Sequence, residues 1–69
     1  MKIIVAERIR ELMKENSITQ LQLANAIHRS QGNISEWLSG KKEPSILSLW
    51  LLADYFEVSI DYLVGRVNL

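Results

Sequence analysis

Two predicted helix starts in the first half of the chain carry a hydroxyl side chain followed three residues later by an amide, Thr19 with Gln22 and Ser30 with Asn33. A serine or threonine in this position caps the first turn of a helix, and a glutamine at the third helical position completes a capping box. Asparagine makes the second pattern a weaker relative of the first. Gly40 then marks a helix end, because glycine adopts the left-handed conformation without strain. This stretch predicts two short helices joined by a tight turn.

Apolar residues recur at helical spacing on both sides of this pair, which predicts further helices. No strand period, linker, repeat or low-complexity segment interrupts them. We therefore predict one all-α domain of five helices over residues 1–69, with a core at about 5–65 and a short tail at 66–69. The predicted helices cover 5–15, about 20–27, the residues between Ser30 and Gly40, 46–56 and 60–64.

The fourth predicted helix, 46–56, is apolar on most of its sides. A helix that is hydrophobic nearly all round lies at the centre of a core or is covered by a partner. The sequence leaves both arrangements open.

Composition excludes several classes of function. The 69 residues contain no cysteine and one histidine, His28, which cannot form a metal cluster by itself. His28 falls in the predicted turn with no acidic residue near it in sequence, and there is no glycine-rich phosphate loop, so we expect no enzyme activity and no cofactor. No signal peptide or membrane-spanning run is evident, and we expect a cytoplasmic protein with no membrane partner and no small-molecule ligand.

Eight Lys and Arg residues balance eight Asp and Glu residues. A zero net charge argues against a nucleic-acid binder, which is usually basic. However, Arg29, Lys41 and Lys42 lie in or beside the two short helices, whereas the surplus of acidic residues lies in the C-terminal third. The distribution is compatible with a basic face and an acidic back.

A series of short motifs runs without a gap from about Ile9 to Arg66. They are Ile18-Thr19-Gln20, Leu23-Ala24, Ile27, Ile34-Ser35, Trp37, Gly40-Lys41-Lys42-Glu43-Pro44, Leu52-Ala53-Asp54-Tyr55-Phe56, Val58-Ser59 and Asp61-Tyr62-Leu63-Val64-Gly65-Arg66. In these motifs the chain resembles the Cro and phage-repressor type of helix-turn-helix protein, the XRE family. The resemblance implies a lambda-repressor-like DNA-binding domain whose third helix lies in the DNA major groove.

The chain departs from the family pattern at two places. His28 stands where the family usually has glycine in the turn between the second and third helices, so it must accept a left-handed backbone. Met13 and Leu38 replace an arginine and a glutamate that the family often pairs. We expect these two apolar side chains to touch in the core, since both charges have been removed together.

The third helix carries the residues that we expect to face DNA bases. Amide side chains can form paired hydrogen bonds with adenine, and glycine lets the backbone approach closely. A solvated amide is the alternative for Gln31, and a capping role competes for Asn33. Glu36 is better explained as solvated or paired within the protein than as a base contact. The predicted base-contacting residues are Gln31, Gly32, Asn33 and Ser35.

A second set of residues is expected to contact phosphates, which position the helix without reading sequence. Gln20 begins the second helix, where free backbone N–H groups can meet a phosphate. A solvated turn is the alternative for the basic residues, and Trp37 is first of all a core residue. The predicted phosphate-contacting residues are Gln20, Arg29, Ser30, Trp37, Lys41 and Lys42.

These features predict a transcriptional regulator, a repressor of phage or mobile-element type that binds a palindromic operator in double-stranded DNA as a homodimer. The alternative is a protein-interaction module, such as an antitoxin-like or adaptor protein. Only the DNA reader would lose affinity steeply with salt. The residues predicted to form the dimer interface are the apolar ones of the last helix and tail: Ile60, Tyr62, Leu63, Val67 and Leu69.

Overall fold

Five α-helices follow one another in a computed structural model that describes residues 3–67. The helices are α1 (Val5–Glu15), α2 (Gln20–Ala26), α3 (Gln31–Ser39), α4 (Ile46–Phe56) and α5 (Ile60–Val64), and residues 3–67 contain no strand. This confirms the predicted all-α, five-helix architecture. The second helix ends one residue earlier than predicted, because Ile27 has already left helical geometry as its C-cap.

Side-chain caps fix the start of both central helices. The Thr19 Oγ1 accepts from the Gln22 N–H at 3.1 Å, and the Thr19 N–H donates to Gln22 Oε1 at 2.8 Å. Ser30 and Asn33 make the same reciprocal pair at 3.0 and 3.1 Å. The second pattern is therefore a complete capping box and not the weaker version that the sequence suggested, since the Asn33 side chain is long enough to reach back.

Each helix contributes one side chain with no exposed surface to a common core. These residues are Ile9 from α1, Leu23 from α2, Ile34 from α3, Leu52 from α4 and Leu63 from α5. The helix α3 packs on both α1 and α2, while α5 packs on α1 and α4. The core thus lies behind α3 and holds it in place.

Two arginines of α1 attach this helix to the ends of two others. The Arg10 Nη2 donates to the Leu38 carbonyl at 2.7 Å, near the end of α3. The Arg8 Nε donates to the Tyr62 carbonyl at 3.1 Å, and its guanidinium lies 4.4 Å from the centre of the Tyr62 ring. Met13 is buried in the core, and Leu38 packs against that core.

The turn between α2 and α3 passes through His28, which has a φ of 59°. The left-handed backbone implied by the resemblance is therefore confirmed. The Arg29 N–H donates to the Ala24 carbonyl at 2.9 Å and closes the turn. Ser17 and Glu57 adopt the same conformation at two other helix ends, with φ values of 53° and 56°.

We expect His28→Gly to stabilise the domain by about 0.5–1 kcal/mol. A left-handed backbone costs an L-residue roughly 1–2 kcal/mol, and the greater freedom of glycine in the unfolded chain offsets part of this gain. Denaturant unfolding monitored by circular dichroism measures the difference. His28→Ala is the matched control, because it keeps the β-carbon; an equal gain in that variant would contradict the backbone explanation.

Helix α4 is buried on one side only. Leu52 and Ser48 face the interior with 0% and 2% exposure. In contrast, Ile46 is 83% exposed, Leu47 60% and Trp50 61%. Of the two arrangements that the sequence left open for this helix, the central position in the core is excluded within residues 3–67.

Candidate nucleic-acid interface

A polar face of α3 points away from the core. Gln31 and Ser35 are exposed and lie one helical turn apart on the same side. Gly32, also exposed, lies beside them. A β-carbon at Gly32 would meet the Ser30 Oγ at 3.6 Å, an ordinary contact, so packing does not require glycine at this position. The face thus carries the Gln31 amide and the Ser35 hydroxyl, and it has no side chain at Gly32.

Asn33, a predicted base contact, also takes part in the capping box of α3. Its Oδ1 accepts from the Ser30 N–H as part of the capping box, and its side chain is half-buried. The paired contact with adenine needs both the oxygen and the nitrogen of an amide. While the box is intact, one acceptor site of the Asn33 oxygen is therefore occupied, whereas Gln31 is exposed at the first position of α3.

Glu36 is held by the loop that follows α3. Its carboxylate lies 3.8 Å from the Lys42 Nζ, and the Lys42 N–H donates to the Glu36 carbonyl at 3.3 Å. This ion pair offsets the negative charge that Glu36 would otherwise present to a phosphate. Lys41 is exposed beside the pair. The two lysines of this loop therefore differ. Lys42 is paired with Glu36, and Lys41 is exposed beside the pair.

Arg29 lies against the start of α4. The Arg29 Nε donates to the Ser48 Oγ at 3.0 Å, and its Nη1 donates to the His28 carbonyl at 3.0 Å. The Ser45 and Ser48 hydroxyls are 2.9 Å apart, and Ser45 caps α4 by accepting from the Ser48 N–H. This network ties the turn before α3 to the N-terminus of α4, so Arg29 has a structural role that the sequence did not indicate.

A cleft of about 250 Å³ runs between α3 and the start of α4. It brings together Arg29 and Lys42, two of the three basic residues predicted for phosphate contact, with Asn33 and Glu36 of α3. Its lining residues are Arg29, Asn33, Glu36, Trp37, Lys42, Glu43, Ser45 and Ser48.

The remaining predicted phosphate contacts differ in exposure. Gln20 is half-buried at the first position of α2, and Ser30 is exposed at the cap of α3. Trp37 is 5% exposed and packs in the core, with its accessible edge in the cleft. Gln20 and Ser30 thus lie at the capped starts of α2 and α3, where backbone N–H groups can receive a phosphate.

Ser45 and Ser48 were missed by sequence reasoning as parts of this region. The available indication was a serine one turn before the buried Leu52, within an otherwise apolar helix. A buried hydroxyl needs a hydrogen-bond partner. The partner of the Ser48 hydroxyl is Arg29, nineteen residues earlier, and this pairing depends on tertiary packing.

The residues predicted to form a dimer interface differ in their exposure. Leu63 is fully buried, so its side chain has no surface to offer a partner, which corrects its place in the predicted set. Ile60 and Tyr62 are half-buried, and Val67 is 42% exposed. Leu69 lies outside the described residues.

Residues 3–67 contain neither a cluster of metal ligands nor a membrane-spanning helix. No group of three or more His, Cys, Asp or Glu side chains there could hold a metal ion. None of the helices there combines the length and apolar character needed to cross a bilayer.

The fold and this face define a class of domain. Two short helices, each started by a capping box and joined through a left-handed residue, place a polar face of the second helix at the surface. This arrangement is a helix-turn-helix domain.

Comparison with known proteins identifies the family. Residues 9–63 match the family model described as Helix-turn-helix. The chain belongs to this family, in its XRE or phage-repressor type, and its fold is that of lambda-repressor-like domains.

Three relatives illustrate the similarity. The chain is 38% identical over 63 residues to the HTH-type transcriptional activator BcrR of Enterococcus faecalis, covering 91% of this chain and 31% of BcrR. A crystal structure of a transcriptional regulator from Listeria innocua has a TM-score of 0.90 at 34% identity, covering 97% of this chain and 63% of that one. The P22 c2 repressor, crystallised with the synthetic operator 9T, has a TM-score of 0.86 at 31% identity, covering 93% and 97%. This chain therefore spans less than two thirds of the first two relatives.

Proposed function

We propose that this chain is a sequence-specific DNA-binding transcriptional regulator. It acts as a repressor of phage or mobile-element type and binds a palindromic operator as a dimer, with α3 in the major groove. By occupying the operator it excludes RNA polymerase. The relatives are described as transcriptional regulators and not as enzymes, which points away from catalysis.

The observation that carries this proposal is the exposed face of Gln31, Gly32 and Ser35 on a fold that matches an operator-bound repressor. A helix-turn-helix domain reads DNA with side chains from the N-terminal part of the second helix of the motif, which corresponds to α3 in this chain. Gln31 is the first residue of α3 and Ser35 lies one turn later. These two side chains are therefore the ones that we propose read the base edges.

The groups around this face suit a phosphate backbone on either side. Lys41 and Lys42 follow the end of α3, and Gln20 begins α2. The ion pair between Lys42 and Glu36 reduces the repulsion between that carboxylate and DNA. With no arginine among the exposed residues of α3, the arrangement favours A·T-containing sites, which amide side chains read.

The direct test is selection of bound duplexes from a random library by the full chain, followed by titration of the enriched sequence. We expect a palindromic, A·T-containing site and an affinity that falls as salt is raised, in proportion to the phosphates contacted. Failure to enrich any sequence, together with weak residual binding, would overturn the proposal and favour the protein-interaction alternative.

The variant Lys41→Gln is expected to weaken binding about equally on selected and unrelated sequences. It should also reduce the slope of log affinity against log salt by about 1, because one phosphate contact is lost. Fluorescence anisotropy at several salt concentrations measures both quantities. The matched control is Lys14→Gln, which removes the same charge from an exposed position of α1. An equal loss of slope in that variant would show that Lys41 acts only through net charge.

A further inference from the structure

Glu36 lies close to the centre of the outward face of α3. The buried residues of this helix are Ile34 and Trp37, with 0% and 5% exposure. Each residue advances about 100° around a helix, so the direction opposite these two side chains passes close to Gly32. Glu36 follows Gly32 by four residues and is turned from it by only about 40°, whereas Gln31 is turned from it by about 100°. Glu36 is therefore nearer the centre of this face than Gln31 is.

The glycine at position 32 leaves space beside the Glu36 side chain. Side chains of a helix lean toward its N-terminus, so each residue covers surface over the preceding turn. On this side of α3 the preceding turn carries Gly32, which is exposed and has no side chain. A bulkier residue at position 32 would occupy that space. A carboxylate at position 36 therefore has an open approach to a ligand that lies along the face.

The loop after α3 supplies Glu36 with a counter-charge. The Glu36 Oε2 lies 3.8 Å from the Lys42 Nζ, and the two side chains are 30% and 68% exposed. An ion pair with this much exposure is weak and can be exchanged for other partners. The backbone N–H groups of Lys41 and Lys42 also donate to the Glu36 carbonyl, at 3.0 and 3.3 Å. The loop thus remains attached to Glu36 through the backbone when the Lys42 ammonium turns elsewhere.

We infer that Glu36 reads a cytosine in the major groove and determines specificity at one position of each half-site. The inference rests on the proposed function, because it requires α3 to lie in that groove. The sequence favoured a solvated or paired Glu36, and the pair with Lys42 is compatible with this second role. An ionised carboxylate accepts hydrogen bonds and cannot donate them. In the major groove cytosine presents an amino donor, whereas guanine presents two acceptors and thymine presents one acceptor and a methyl group.

Adenine is the closest competitor of cytosine for a carboxylate. It presents an amino donor, but the N7 acceptor beside that donor repels a negative charge, and cytosine has no acceptor on its major-groove edge. The amide of Gln31 suits adenine instead. Gln31 and Glu36 are five residues apart, or about 7.5 Å along the helix, which corresponds to about two base-pair steps. The two side chains should therefore determine different positions of the same half-site.

Lys42 makes the cost of a wrong base larger than the loss of one hydrogen bond. When cytosine donates to Glu36, the carboxylate has a new partner and the Lys42 ammonium is released to a phosphate. Opposite a base that offers no donor, Glu36 retains Lys42 and that phosphate loses its cation. A wrong base at this position then removes a base contact and weakens a phosphate contact together.

The test is titration of the full chain, as wild type and as Glu36→Gln, on the selected duplex and on variants with each base pair at every half-site position. At one position wild type should prefer cytosine by about tenfold to a hundredfold. Glutamine has nearly the same size and forms paired hydrogen bonds with adenine, so Glu36→Gln should change that preference from cytosine to adenine. Circular dichroism checks that the variant folds.

A modified base gives a second measurement that needs no variant. N4-methylcytosine still pairs with guanine, but a methyl group replaces the N–H that faces the major groove. Wild type should bind a duplex with this base at the Glu36 position at least fivefold more weakly than the unmodified duplex. Unchanged affinity for N4-methylcytosine at every cytosine of the half-site would overturn the inference.

The matched control is Glu43→Gln. Glu43 is an exposed carboxylate that also lines the cleft, so this variant removes the same charge without changing α3. It should strengthen binding to all duplexes equally and leave the preference for cytosine within twofold of wild type. If Glu36→Gln did the same, Glu36 would act only through its charge and the inference would be wrong. Lys42→Gln should lower the preference for cytosine without changing which base is preferred.

The outcomes for this inference and for the proposed function can be told apart. A selected site whose A·T preference depends on Gln31, with no position that responds to Glu36→Gln, would remove the inference and keep the function. The absence of any enriched sequence would overturn the proposed function and the inference with it.

Discussion

Gln31→Ala is expected to lower the affinity for the selected operator by about tenfold to a hundredfold, or roughly 1–3 kcal/mol, and to relax the preference for A·T at the contacted position. The reason is that Gln31 is exposed at the start of α3, whereas the Asn33 oxygen is held in a capping box. Titration of the selected duplex and of single-base variants measures both effects.

The control for this prediction is Asn25→Ala, which removes an exposed amide near the C-terminal end of α2. It should leave both affinity and base preference within twofold of wild type. If Gln31→Ala weakened selected and unrelated duplexes equally, Gln31 would be a backbone contact. In that case direct reading of bases would have to come from Ser35, from Glu36 or from the backbone at Gly32.

Ile34→Ala is expected to destabilise the domain by about 2–5 kcal/mol, because Ile34 is fully buried and its truncation leaves a cavity between α3 and the rest of the core. In a domain of this size each kcal/mol lowers the melting temperature by roughly 4–8 °C. The expected decrease is therefore of the order of 10–30 °C, which thermal unfolding by circular dichroism would record.

The chain offers an unusually direct control for this effect, since Ile46→Ala makes the same chemical change at a residue that is 83% exposed. This variant should unfold within about 0.5 kcal/mol of wild type. Similar losses in the two variants would contradict the described burial of α3.

Local chemistry explains why the helices could be predicted from sequence. Thr19, Ser30, Ser45 and Ser59 each cap a helix in the structure, and each is a residue type that competes for backbone N–H groups at helix starts. Gly40 and Gly65 adopt left-handed conformations at helix ends. These interactions involve residues within a few positions of one another, so they can be read from the sequence.

Features that depend on tertiary packing could not be predicted in the same way. The hydrogen bond from Arg29 to Ser48 joins residues nineteen positions apart, and it gives Arg29, a predicted phosphate contact, a structural role in the turn as well. The buried side of α4 was also open, because a helix that is apolar on most of its sides does not indicate which side faces the core. The left-handed conformations of Ser17 and Glu57 had no indication in residue type, unlike that of His28, for which the resemblance supplied the expectation.

Several cations of the chain make contacts within the protein. The Arg8 and Arg10 guanidinium groups donate to carbonyls of Tyr62 and Leu38, Arg29 donates to Ser48, and Lys42 pairs with Glu36. For a protein that reads DNA as proposed, these contacts limit how freely those four cations can hold random sequence, and the zero net charge adds no long-range attraction. Only a small fraction of such a regulator is then bound to the many competing non-specific sites of a genome. Its search for an operator therefore depends on rejecting wrong sequences quickly, and a modest affinity for the right one is enough to occupy it.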